Sequence, residues 1–140
     1  METYVLDKTF LSAGSIGTGL WIRTGLGSPT SLSDINNRGA VLNGTNTKGS
    51  IIPIGVSITG CSASGKEVIV RLEGIAKVKN QVTFGSIMQG GIAIPASSGK
   101  TKIFRRGAIG THVGGGIVVN AEGKGSPNSF ISVLVRPGVY

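Results

Sequence analysis

Glycine is the feature that most narrows what this chain can fold into. It occupies 24 of 140 positions, spread over the whole length. A helix interior loses about 1 kcal/mol for each glycine relative to alanine, so glycine distributed in this way rules against long helices. It does not recur at every third position, which excludes a collagen-type repeat. An apolar fraction of 39%, with valine and isoleucine frequent, supplies a core and excludes disorder by composition. What remains is a chain of short strands joined by tight turns.

The strand signals fit that reading. They fall at residues 19–23, 51–58, 68–72, 75–79 (Ile75–Ala76–Lys77–Val78–Lys79, in strict apolar/polar alternation), 91–94, 116–119 and 130–135. Turn pairs lie between them: Asn43–Gly44, Ser64–Gly65, Ser98–Gly99 and Glu122–Gly123. Pro53 marks an edge or the start of a strand. Only Ser31 to Arg38 offers a helical turn, with Ser31 or Ser33 as its N-cap. The expected fold class is all-β: a small β-barrel, β-tulip or sandwich.

The chain also repeats itself. Gly14–Ser15–Ile16–x–x–Gly19 returns as Gly85–Ser86–Ile87–x–x–Gly90, and Ile54–Gly55 finds a counterpart in Val113–Gly114. Each copy then passes through a polar loop to an apolar strand closed by glycine, Val68 to Gly74 and Val133 to Gly138. The expected organisation is an N-terminal arm over residues 1–13 and one β domain over 14–140, built from two related halves at about 14–79 and 80–140. The arm reading rests on Tyr4, Val5, Leu6 and Phe10, apolar residues that precede the repeat and need a partner surface. On that reading, residues 1–10 can be removed without unfolding the rest.

Catalytic chemistry finds little to work with. Cys61 is the only cysteine and His112 the only histidine, so an internal disulfide, a zinc cluster and a Ser–His or Cys–His pair are all out of reach or nearly so. The six acidic residues show no spacing that recommends an acid/base pair. Gly60–Cys61–Ser62–Ala63–Ser64–Gly65–Lys66 matches the first seven positions of a phosphate-binding loop. Such a loop needs Ser or Thr after the lysine to hold magnesium, and a helix whose N-terminus faces the phosphates. Here Glu67 follows, and then a strand pattern, so the segment reads as a hairpin loop. Gly99–Lys100–Thr101 lacks the earlier glycine and is also a turn. Trp21, the single tryptophan, reads as a core or interface anchor. The expectation is a protein that is not an enzyme and has no cofactor or metal.

The net charge of +8 leaves three partners open: nucleic acid, an acidic protein surface, or solvent alone. The densest basic group is Lys100, Lys102, Arg105 and Arg106, a candidate docking patch. Aromatics make up only 5% and Phe104 alone lies within that group, which argues against base stacking on single strands. No apolar run is long enough to span a membrane as a helix. Met1 to Phe10 lacks the order of a signal peptide, so the expected site of synthesis and assembly is a cytoplasm.

Taken together, Pro53–Ile54–Gly55–Val56–Ser57–Ile58, the polar loop Thr59 to Lys66, Glu67 to Gly74, Ile75 to Val78, and the closing Val133–Leu134–Val135–Arg136–Pro137–Gly138 resemble the small β-rich capsid decoration (cement) proteins of tailed bacteriophages. The resemblance runs from about Gly14 to Gly138. It implies a compact β-barrel or β-tulip mounted on the outside of a capsid, bound to the major capsid protein and to itself, often as a homotrimer at three-fold positions, where it stabilises the shell. The alternatives are another phage structural module, such as a head fibre base, tail or baseplate part, and a basic nucleic-acid-binding β module.

Overall fold

A computed structural model describes residues 4–12, 14–24, 38–41, 53–81, 90–96, 99–104, 113–120 and 129–139. Nine strands occur among them: β1 (Leu6–Ser12), β2 (Trp21–Thr24), β3 (Arg38–Val41), β4 (Gly55–Ser57), β5 (Glu67–Lys79), β6 (Ile92–Pro95), β7 (Thr101–Phe104), β8 (Val113–Asn120) and β9 (Phe130–Val139). The fold is all-β. The only segment expected to hold a helical turn lies outside the described residues up to Arg38, which opens β3.

The hydrogen-bonded order is β1-β3-β2-β4-β5-β9-β8-β6-β7, and β1 also pairs with β5. The first five strands therefore close into a ring. The second ring runs β5-β9-β8-β6-β7 and returns to the end of β5 through the parallel bridge between Asn80 and Thr101. Closure of this kind leaves few open strand edges. β5 belongs to both rings. Its first half pairs with β1 and β4, and its second half, from Gly74, pairs with β9.

The two rings are copies of one plan in matching register. β1, β2, β3, β4 and the first half of β5 correspond to the second half of β5, β6, β7, β8 and β9. The contact of β1 with β3 is parallel, as is its counterpart from Asn80 to Thr101, and every other pairing is antiparallel in both copies. Phe10 faces Val68 as Val78 faces Ile131. Gly19 and Gly90 occupy the same turn, each with positive φ (74° and 83°). In both copies that glycine N–H donates to the strand behind it, at Ser57 O and Val118 O.

Three expectations are corrected by this pairing. The counterpart of Gly55 is Gly116, not Gly114: Ile22 pairs with Gly55 as Ala93 pairs with Gly116. A β-bulge between Gly114 and Gly116 accounts for the slip. The halves do not meet at residues 79 and 80 but inside β5, where Gly74 (φ 110°) turns the strand from one ring into the other. Finally, within the expected N-terminal arm over residues 1–13, Leu6–Ser12 belong to the β domain. Leu6–Ser12 are β1, and they pair with β5 from Leu6 opposite Glu73 to Leu11 opposite Glu67. Phe10 is only 5% exposed and belongs to the first core with Ile16, Ile22, Val68 and Val70. β1 occupies the place that the second half of β5 fills in the other ring.

The duplicated glycines mark where strands approach most closely. A Cβ on Gly55 would overlap the Arg71 carbonyl and stand 2.9 Å from Val70 Cγ1. A Cβ on Gly116 would overlap the Leu134 carbonyl and stand 3.0 Å from Val133 Cγ1. Gly115 serves a different contact: the Trp21 ring fills the space its side chain would take. Trp21 comes from β2 of the first ring, yet it lies fully buried in the core of the second with Ala76, Val78, Ala93, Val118 and Val133. Its indole N–H has no hydrogen-bond partner among the described residues. The residue is used here for bulk and shape.

Two consequences are measurable with Trp21 as the fluorescent probe in urea titrations. Deleting residues 1–10 removes Phe10 and opens the first ring, so the truncated chain should lose at least about 3 kcal/mol of stability rather than stay folded unchanged. Trp21→Ala, followed by circular dichroism instead, should cost about 3–5 kcal/mol, and Gly115→Val should cost about 1–3 kcal/mol because its side chain would overlap the Trp21 ring.

Candidate interaction surfaces

Of the four residues expected to contact a partner near the N-terminus, three share one exposed place. Tyr4 is 71% exposed, and Val5 and Leu6 are also exposed. They cross the outer side of Gly74, where a Cβ would stand 2.7 Å from Tyr4 O and 3.2 Å from Val5 Cα. Phe10 lies four residues on from Leu6, beyond the register shift between Leu6 and Asp7, and is buried in the first core. Leu11 and Ile69, exposed on the outer face of the same ring, extend the apolar surface.

The basic group is only partly placed. Lys100 lies half-buried in the turn between β6 and β7, where its carbonyl accepts from Ala96 N–H at 2.7 Å. Lys102 sits on β7 opposite Ile94. Arg105 and Arg106 lie outside the described residues.

Charge is instead organised by ring. Divided at Gly74, residues 1–73 carry six basic and five acidic side chains, and residues 74–140 carry eight basic and one acidic. The division is plainest on β5. Its alternating burial puts every odd-numbered residue outward from Glu67 to Lys79. Glu67 and Glu73 lie on the first-ring part of that stripe, and Lys77 and Lys79 lie on the second. Position by position, Thr9 and Leu11 of β1 correspond to Lys77 and Lys79, and Glu73 corresponds to Arg136.

Arg71 holds the middle of the stripe. Its Nε and Nη2 donate to the two Asp7 carboxylate oxygens at 3.0 and 3.2 Å, and its Nη1 donates to Ile75 O at 2.7 Å. One guanidinium thus ties β1 to β5 and bridges the switch at Gly74. Beside it lies a shallow groove of about 370 Å³ between the rings, lined by Thr18, Ser57, Ile58, Arg71, Ile75 and Lys77 among others.

The catalytic-looking run has a structural use. Residues 58–66 connect antiparallel β4 and β5, and their backbone is engaged by the start of the chain. Gly65 N–H donates to Ser12 O at 2.7 Å, Lys66 N–H to Ser12 Oγ at 3.2 Å, and Cys61 N–H to Ile16 O at 2.8 Å. Three amides of the run are thus bonded within the protein and not turned to a phosphate. Among the described residues, no three His, Cys, Asp or Glu side chains gather as metal ligands.

No family model matches the sequence, and no curated protein matches it. Among solved structures the chain is similar to the N base of head fibre protein gp8.5 of bacteriophage phi29, with a TM-score of 0.60 and 12% sequence identity over 95% of both chains. At that identity the likeness concerns the fold, and it covers both rings.

The Arg71 contacts can be separated by mutation. Asp7→Ala removes only an ion pair at the surface and should cost under about 1 kcal/mol. Arg71→Ala also removes the donor to Ile75 O and should cost more, by about 1 kcal/mol. Urea midpoints of the two variants, compared at equal salt, measure the difference.

Proposed function

We propose that this chain is a structural protein of a phage virion, held on the outer surface of the head as a decoration (cement) subunit or the capsid-bound base of a head fibre. The observation that carries the reading is the likeness to the phi29 head fibre base along nearly the whole of both chains. The proposed partners are the major capsid protein and further copies of the chain, as a homotrimer, with assembly on the shell in the host cytoplasm. The fold suits that work: strands closed into rings leave few edges for uncontrolled pairing, and a chain with two small cores gains from association. Tyr4, Val5 and Leu6 are the proposed apolar contacts, and Lys100, Lys102, Arg105 and Arg106 the proposed basic ones. Phe10 is left out because it serves the core.

Electron microscopy of preformed, expanded heads mixed with the purified protein tests this reading. The expected result is regular added density on the outer surface at three-fold positions. A decoration subunit should also raise the temperature at which heads rupture, whereas a fibre base should support a distal projection in the parent particle and leave rupture unchanged. Heads that stay bare, or density confined to the tail, would reject the proposal.

A further inference from the structure

We infer that the outer face around β5 is a self-complementary contact, in which the first-ring end of one copy receives the second-ring end of the next. The inference takes up the self-association within the proposed function and rests on it for the identity of the partner. Its evidence is the charge pattern of this chain alone.

The two rings present the same surface built twice. In the first, the outward side of β1 and β5 carries Leu11 and Ile69 with Glu67 and Glu73. In the second, the outward side of β5 and β9 carries Ile75 and Phe130 with Lys77, Lys79 and Arg136. Each is a patch of exposed apolar side chains bordered by charge, the pattern of a contact surface. Charges of opposite sign meet at one equivalent place, Glu73 and Arg136, while Glu67 corresponds to Phe130, and Lys77 and Lys79 correspond to Thr9 and Leu11. The Asp7–Arg71 pair lies within the first patch, between Ile69 and Glu73, and is balanced within the chain.

Opposite charges on equivalent frames make a head-to-tail contact attractive and a like-to-like contact repulsive. Both signs lie on the one face around β5, so a two-fold pairing that runs the faces in opposite directions matches each end with its opposite, as does a head-to-tail contact that closes into a ring. A nucleic acid would engage the second-ring end and leave Glu67 and Glu73 of the first without a role. A second copy uses both.

Sedimentation velocity on the isolated full chain tests the inference. Wild type should associate at low salt, and the dissociation constant should rise by at least about tenfold at high salt. The acidic-end variant, Glu67→Lys with Glu73→Lys, should be monomeric, and so should the basic-end variant, Lys77→Glu with Lys79→Glu and Arg136→Glu. An equimolar mixture of the two should associate again, because each now supplies the charge the other has lost. Circular dichroism and Trp21 fluorescence establish that both variants are folded, and recovery in the mixture is a result that misfolding cannot imitate. Wild type that stays monomeric at low salt, variants that associate as tightly as wild type, or a mixture that fails to associate would each overturn the inference. Capture of a monomeric wild type by heads through its basic end would assign that face to the capsid instead, and would leave the head-surface reading standing.

Discussion

The architecture depends on one strand serving two rings. β5 runs for 13 residues, longer than either ring needs, and closes both. Its two halves bond different neighbours: β1 and β4 before Gly74, β9 after it. A strand can make that change only where the backbone turns sharply, and φ of 110° at Gly74 lies where side chains with a Cβ are strained. Arg71 then reaches over the turn to Ile75 O. The joint between the halves is thus covalent and hydrogen-bonded. It is also packed, because Trp21 leaves its own ring to fill the core of the other against Gly115.

This joint explains why so many glycines are tolerated. Small rings of short strands bring backbones close, and Gly55 and Gly116 stand at the same crossing in each copy, where a methyl group would strike a carbonyl. Leaving out those side chains lowers the apolar area that each ring can bury. The shared strand and the inserted indole offset that loss by merging two small cores into adjoining ones. The cost is seen at the Trp21 N–H, buried without a partner among the described residues.

Much of the fold was legible in the sequence because it rests on local chemistry. Alternation over Ile75 to Lys79 marked a strand with one face buried, and Glu67 after Lys66 marked a hairpin rather than a phosphate loop. The β class and the existence of a repeat followed from the same signals. What stayed hidden depended on pairing at a distance. β1 reads as an unpartnered apolar arm because Phe10 finds Val68 only after folding. β3 and β7 are four residues each, like β2 and β6, but Arg38–Gly39–Ala40–Val41 and Thr101–Lys102–Ile103–Phe104 begin without the apolar residues that marked β2 and β6. β5 reads as two strands because Gly74 interrupts its pattern, though the outward parity continues through it. The β8 bulge shifted the apparent counterpart of Gly55 by two positions. The charge division could have been found earlier, by counting charges on either side of the repeat rather than searching for the densest cluster.

That division separates scaffold from use. If the two rings were interchangeable, equivalent outward positions would drift together in chemistry while the core stayed matched. The core is matched at Phe10 and Val78, Val68 and Ile131, and Val70 and Val133, all apolar and buried, while exposed Lys8 stands where Ala76 is buried. The outward positions are not, for Thr9, Leu11 and Glu73 stand where Lys77, Lys79 and Arg136 stand in the other copy. Packing does not impose such a difference, since outward side chains at these sites carry little of the folding energy. The contrast of Glu73 with Arg136, and of Thr9 and Leu11 with Lys77 and Lys79, is what the proposed self-contact draws on, and one frame can hold both surfaces because the joint at β5 fixes their relative placement without using their outer faces.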